Sequence, residues 1–386
     1  MAVLVESEST DGPAPARGAG SAVRFEPETP LEIVEPTTRA GLDGLASFLR
    51  RFGPLRGRGA LGEYLFARLK KDPGLWSIRM NDGTTMTVPR SAEMSWIPAF
   101  TGAYDPAQLE IILRFLTPGS FALDVGACFG FYAVPMGRAA AKKDAQVLAF
   151  EALRSNERLL RNNLHQNRLD GVVVSLPIAL GREPATVEML VEGGGTGNAF
   201  VRTSGFKGAA DSRAVAENIR IERLDDMPWY RWTSKARCSL VKMDIEGFEL
   251  EALAGGEAFI AKHRPVIFGE FNGWFLERHG FSPDAPIEWA RRHGYVCLDL
   301  VSARRSRLTD EVRLTPQALG AGAARRGGDL LLLPIENPSL VDRLLPNRLS
   351  RIAQPQSAAS SPAQPPPATT TVSAGAPETG TGRRAP

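Results

Sequence analysis

The chain is poor in cysteine, in long apolar runs and in net charge, and each shortage excludes something. Three cysteines, Cys128, Cys238 and Cys297, occur in 386 residues. The number is odd and the spacing suits no metal site, so they read as reduced thiols of a cytoplasmic protein rather than a disulfide framework or a zinc centre. No apolar run approaches the roughly 20 residues that a bilayer-crossing helix needs, and Met1 to Gly12 turns acidic too early to resemble a secretory signal. The expectation is a cytoplasmic protein without stable membrane insertion. With 46 basic and 43 acidic residues the net charge is +3, too close to balance to demand nucleic acid as a partner. Two nucleotide signatures are also missing. No G-x-G-x-x-G marks a dinucleotide site, and no Gly-Lys-Ser/Thr follows the glycine-rich stretch at 193–197, so that stretch is no P-loop but a flexible loop or an active-site lid. His263 and His279 stand among surface-like residues and are weak candidates for chemistry.

What is present begins at Leu123–Ala133, where an apolar strand ends at Asp124 and a turn bearing Gly126 and Gly130 runs into a helical pattern. Glycine suits such a turn because a missing Cβ permits tight dihedrals and close approach of backbone to a ligand. The D-x-G-x-x-x-G spacing favours a compact nucleoside cofactor over a dinucleotide, although an ordinary strand-to-helix turn has the same look. Cys128 inside the turn reads as a small packing residue. A second strand, Gln146–Phe150, is closed by Glu151, on the order of 20 residues beyond the glycines, where mononucleotide-binding folds keep an acid for ribose hydroxyls. Ser155 to Asn167 follows with helical spacing of Leu160 and Leu164. Two successive β-turn-α units mean a parallel sheet.

Later segments repeat the pattern. Val172–Leu176 reads as a third strand and Thr186–Val191 as a fourth. Leu240–Met243 ends at Asp244, followed by Glu246, Glu249 and the helically spaced Leu250, Leu253 and Ala254. Pro265–Asn272 forms another strand with Glu270 and Asn272 at its end and Trp274 beyond as a possible substrate wall. Parallel strands share a carboxyl edge, so Asp124, Glu151, Asp244 and Glu270 are expected at one crevice. Plainer roles stand beside these: a helix N-cap for Asp244, first-turn acids favoured by the helix dipole for Glu246 and Glu249, a core position for Trp274.

The ends of the chain differ from its middle. Residues 1–40 and those from about 353 onward are rich in Pro, Ala, Ser, Thr and Gly and are expected to lack structure. The Gln364–Pro367 run is a solvated tail or a polyproline ligand for a partner. Between 41 and 118 a cap is expected: two short basic helices broken at Gly53-Pro54, a solvated face or a membrane-touching one, then a hairpin with strands at 76–80 and 84–88 around Asn81-Asp82-Gly83. The main domain spans 119–335, and 336–386 is a C-terminal extension.

Taken together, Asp124-Val-Gly-Ala-x-x-Gly, the acid at 151, Val-Lys-Met-Asp-Ile-Glu-Gly-Phe-Glu at 241–249, Arg264-Pro-Val-Ile-Phe-Gly-Glu270, the Gly294-Tyr295 strand entry and Asp329–Leu333 resemble the FkbM-type methyltransferases of the class I S-adenosylmethionine-dependent group. The resemblance covers about residues 80–335. It implies an α/β, Rossmann-like class I methyltransferase fold: a seven-stranded, mostly parallel sheet with one antiparallel strand, flanked by helices. It implies S-adenosylmethionine as cofactor, held by the turn of Asp124, Gly126, Cys128 and Gly130, by Glu151 at the ribose and by the Ala179 backbone at the adenine. Gly181-Arg182 stands where many such enzymes place an acid near the adenine amino group. The expected reaction is O-methylation of a small-molecule or carbohydrate hydroxyl. Asp244, Glu246 and Glu270 are the candidate proton acceptors, and Asn272 and Trp274 face the acceptor. These carboxylates are read without a metal. A non-catalytic interaction protein on the same scaffold is the alternative, and an NAD-dependent oxidoreductase a weaker one.

Overall fold

In the computed structural model, residues 30–37, 40–50, 64, 74–191, 199–202, 215–305, 312–318, 328–337 and 339–340 are described. The glycine-rich stretch 193–197, the chain from 341 onward and most of 51–73 lie outside them.

The first described helix, α1 (Ala40–Arg50), precedes a hairpin of β1 (Leu75–Arg79) and β2 (Thr85–Pro89). Gly83 sits at φ +85° and Asp82 accepts the Thr84 N–H at 2.9 Å, so the Asn-Asp-Gly sequence makes the turn expected of it. Residues 30–37, expected to lack structure, instead pack on the domain. Val34 is buried and donates its N–H to Asn162, while the Thr37 N–H bonds the Leu75 carbonyl at 3.2 Å. Two short helices, α2 (Trp96–Thr101) and α3 (Pro106–Ile112), lead to the main sheet.

That sheet opens with β3 (Phe121–Val125), α4 (Ala133–Ala141), β4 (Gln146–Phe150), α5 (Arg154–Gln166) and β5 (Val173–Leu176). A detour follows through β6 (Ala179–Leu180), β7 (Ala185–Val191), β8 (Ala199–Arg202) and β9 (Val215–Glu222). The chain returns with β10 (Cys238–Met243), α6 (Glu249–Ala254), α7 (Glu257–His263), β11 (Val266–Glu270), α8 (Gly273–Arg278), α9 (Ala285–Arg292), β12 (Tyr295–Arg305), β13 (Val312–Ala318) and β14 (Asp329–Pro334). The order across the sheet is β13-β12-β14-β11-β10-β3-β4-β5. The pairs β11/β10, β10/β3, β3/β4 and β4/β5 are parallel, and β14 runs against both β11 and β12. Seven of these strands form a Rossmann-like, mostly parallel sheet with one reversed strand. The eighth, β13, adds an antiparallel edge that the sequence did not announce. The expected fourth strand, β7, does not join this sheet. It pairs with β8 and β9 in a separate four-stranded layer that also holds β6.

Helices cover both faces of the sheet, and therefore all five residues of β3 and all six of β10 are buried. One core lies toward the cap, where Trp96, Phe100 and Phe115 are fully buried, each burial contributing about 2–3 kcal/mol. Asn163 of α5 ties the hairpin to this core by treating β2 as a neighbouring strand would. It accepts the Thr87 N–H at 2.7 Å and donates to the carbonyls of Thr87 and Phe129 at 3.0 and 2.8 Å. The cap thus shares its core with the sheet rather than standing apart from it.

Candidate active site

The carboxyl ends of β3, β4 and β10 open into a cleft of about 870 Å³, its mouth included. Its floor is the glycine turn. The Phe150 carbonyl accepts N–H bonds from Gly126 and Ala127 at 3.0 and 2.9 Å, which folds the turn over the end of β4. Gly126 sits at φ +78°, and a Cβ there would lie 2.0 Å from the Asp244 carbonyl oxygen, so only glycine lets β3 and β10 close together here. Cys128 adopts φ +49°, which a side chain rarely tolerates. Gly130, expected to touch a cofactor, serves packing: its Cβ would meet Leu160 at 2.9 Å, and it does not line the cleft.

Glu151 is buried and faces the cleft. One oxygen accepts the Cys128 N–H at 2.8 Å, the other the Leu153 N–H at 2.9 Å, with the Asn156 amide at 3.5 Å. Burial pushes its carboxyl up to about 7 against the pull of those donors. The oxygen that takes the Cys128 N–H keeps a lone pair for a further donor. Ala179 lines the same cleft with Ile178, Leu180 and Phe248, which form an apolar slot beside Glu151. Arg182 turns away from it to pair with Glu251 at 2.9 Å.

Asp124 does not line the cleft. It is fully buried beneath the turn, 3.2 Å from the ammonium of Lys242. Lys242, which the sequence reading quoted but gave no role, is 3% exposed. Its Nζ donates to the Gly126 carbonyl at 3.0 Å, lies 4.0 Å from Asp244 and stands 4.9 Å from the Tyr132 ring centroid. Burial works against the ammonium, but the charges of Asp124 and Asp244 outweigh it and hold Lys242 above its ordinary range. The readable signal was a basic residue inside an otherwise apolar strand.

Of the acids expected at one crevice, Glu151 and Asp244 line the cleft, whereas Asp124 and Glu270 do not. Asp244 and Glu246 both line the cleft. Glu246 takes φ +56°, and burial followed by the negative charges of Asp244, Glu270 and Glu249 pushes it up to about 9. It is therefore protonated at neutral pH, which weakens its expected role as a proton acceptor. Glu270, at the exposed end of β11, lies directly across the β11–β14 ladder from Asp329. Partial burial and the charge of Asp244 push Glu270 up to about 8. Asp244 is not a helix cap, since α6 begins at Glu249 and Phe248 holds its N-cap position. Glu249 proves structural by a different route from the helix dipole: fully buried, it accepts the N–H groups of Ile245 and Gly247 at 2.9 and 3.2 Å and fixes the turn between Asp244 and α6.

Asn272 and Trp274 do not meet the expectation of acceptor-facing residues. The Asn272 side chain caps α8 by accepting the Trp274 N–H at 3.0 Å, and Trp274 is 51% exposed under the Arg278 guanidinium, outside the cleft lining. Tyr104 of the cap lines the cleft with Phe131 and Tyr132 from just beyond the glycine turn. Tyr104 stacks on Phe131 at 4.5 Å, and Tyr132 donates to Asp105 at 3.0 Å. Asp105 itself sits at φ +41°. His263 is structural, its Nδ1 accepting the Cys238 N–H at 3.2 Å. Among the described residues no group of three or more His, Cys, Asp and Glu is placed to hold a metal ion, and no helix is long and apolar enough to cross a membrane.

Residues 124–297 match the methyltransferase FkbM domain. Among solved structures, the chain aligns with the methyltransferase FkbM of Methylobacillus flagellatus KT at 15% identity and a TM-score of 0.33, covering 63% of this chain and 53% of that one. It aligns with the precorrin-6y C5,15-methyltransferase of Geobacter metallireducens GS-15 at 12% identity and 0.32, over 60% and 93% of the two chains. A third likeness is to a SAM-dependent O-methyltransferase of Thermotoga maritima, at 11% identity and 0.30, over 60% and 66%. The chain spans about half the length of the first of these. No curated protein matches it.

Proposed function

We propose that the protein, whose residues 124–297 match the methyltransferase FkbM domain, moves the methyl group of S-adenosylmethionine to a hydroxyl of a small molecule or sugar. One observation carries this reading: Glu151, the glycine turn and Asp244 open on a single cleft at the carboxyl edge of the sheet. The cleft suits the donor on its own chemistry. Glu151 keeps acceptor capacity for a ribose hydroxyl, the slot of Ile178, Ala179, Leu180 and Phe248 suits a purine face, and the acids at the far end suit a sulfonium charge.

When bound, the sulfonium supplies an activated methyl group. The chain's own residues orient, dehydrate and take up a proton. Alignment of an acceptor oxygen about 3 Å from the methyl carbon is the main requirement of an in-line displacement. Tyr104, Phe131 and Tyr132 form a wall that excludes water on the acceptor side. A hydroxyl acceptor must also lose its proton, and Asp244, beside the Lys242 ammonium, is the carboxylate that receives it. Glu246, protonated at neutral pH, donates a hydrogen bond instead. Incubating the protein with trideuteromethyl-labelled S-adenosylmethionine and small-molecule extracts tests this by mass spectrometry. A labelled methyl ether is expected. Label on carbon or nitrogen alone, or no transfer, contradicts the assignment.

A further inference from the structure

Lys242 is the single lysine or arginine among the described residues that line the cleft. A lysine in the middle of a buried strand costs free energy unless its charge is fully partnered, and an apolar residue of similar size would ordinarily serve a core better. Its partners here belong to different parts of the reaction site. The Gly126 carbonyl, 3.0 Å away, is part of the donor-side turn, and Asp124 at 3.2 Å lies beneath that turn. Asp244 at 4.0 Å belongs to the acceptor side, and the Tyr132 ring that packs against the ammonium belongs to its wall. No other side chain touches both halves in this way among the contacts described above.

We propose that Lys242 is a positioning residue for methyl transfer: its ammonium ties the donor-side turn to Asp244, so that donor affinity and the proton state of the acceptor side are set together. The inference rests on the reading of the cleft as a methyl-donor site. The titratable groups around Lys242 are Asp124 on β3, Cys128 in the turn, Glu151 after β4, Asp105 before α3, Tyr132 before α4, and Asp244 and Glu246 after β10. An ammonium among these carboxyls keeps them ionised to lower pH than burial alone would allow.

The test is calorimetric titration with S-adenosylhomocysteine from pH 6 to 9. Wild-type affinity is expected to fall at the acid end as the carboxyls take up protons. Lys242→Met is expected to bind about tenfold more weakly at pH 7.5, with the fall moved to higher pH, since one charge-assisted bond is lost. Lys242→Arg keeps the charge and the donors, and is expected to stay within roughly threefold of wild type with an unmoved profile. A folded Lys242→Met with wild-type affinity and profile overturns the proposal. So does a Lys242→Arg protein as weak as Lys242→Met with the same displaced profile, since charge would then be irrelevant. Asp244→Asn alters a side chain that is 32% exposed and outside the core, so it decides the matter even where Lys242→Met does not fold. The proposal expects a shallower profile from it, and an unchanged one overturns the proposal. Wild-type protein that binds no S-adenosylhomocysteine at any pH overturns the donor-site reading itself, whereas binding by wild type and Lys242→Met alike overturns only the role of Lys242.

Discussion

The two ends of β10 and β11 each open into a cleft, yet the two are built on opposite terms. At the amino end the central groups, Arg264 and His263, have their partners. Arg264 bonds Glu336 through Nε and Nη2, at 2.6 and 2.8 Å, and the carbonyls of His293 and Gly294 at 2.8 and 2.9 Å, and His263 takes the Cys238 N–H. At the carboxyl end like charges face each other: Glu270 lies opposite Asp329, and Asp244, Glu246 and Asp105 stand near. Residues 105, 128 and 246 hold positive φ there without being glycine. A satisfied end reads as structure, and a crowded, strained end reads as a place waiting for a ligand.

Substitutions at the two ends should therefore fail differently. The largest effect is expected from Asp244→Asn, with turnover on an identified acceptor falling about 100-fold or more through loss of the proton acceptor. Full turnover would remove Asp244 from that role. Gly126→Ala should come next, destabilising the fold by about 2–3 kcal/mol, because the new Cβ meets the Asp244 carbonyl at a positive φ. Urea unfolding reads this directly, and a change below about 0.5 kcal/mol would show that the turn has room to relax. At the amino end, Arg264→Ala should cost about 2 kcal/mol of stability and leave donor binding untouched, since its bonds are structural. A loss of affinity there would break the contrast between the ends.

The last effect concerns Glu246 and is a matter of sign. Its folded carboxyl is raised to about 9 from an ordinary 4.5, so folded protein keeps a proton that unfolded chain has released. Its contribution to stability is fully present below about 4.5 and is lost as pH rises to about 9. Glu246→Gln does not titrate. Thermal unfolding from pH 5 to 9 should therefore show the variant gaining on wild type as pH rises, and a constant difference would place Glu246 in a more solvated setting.

Much of this architecture was legible because parallel strands buried on both faces are short apolar runs closed by an acid. Asp124, Glu151, Asp244 and Glu270 were found that way, and the Asn-Asp-Gly turn announced its hairpin. The layer of β6 to β9 was not legible, because a two-residue strand and a polar one such as Val215–Glu222 carry no period that separates them from loops. Asp329 opens its strand, and only the reversal of β14 brings a strand's first residue to the carboxyl edge. Tyr104 reaches the cleft by tertiary packing of the cap, which no local pattern encodes. Asn272 and Trp274 were placed correctly along the chain and wrongly in role, since a strand-end asparagine serves equally well as a helix cap.

The central claim is that the carboxyl edge binds a methyl donor through Glu151. Titration of wild type and Glu151→Ala with S-adenosylhomocysteine tests it most directly. The account predicts saturable one-to-one binding by wild type and about tenfold or more weaker binding by the variant, since the carboxyl acceptor for the ribose is lost. Equal affinity in the two proteins, or none in wild type, would contradict it.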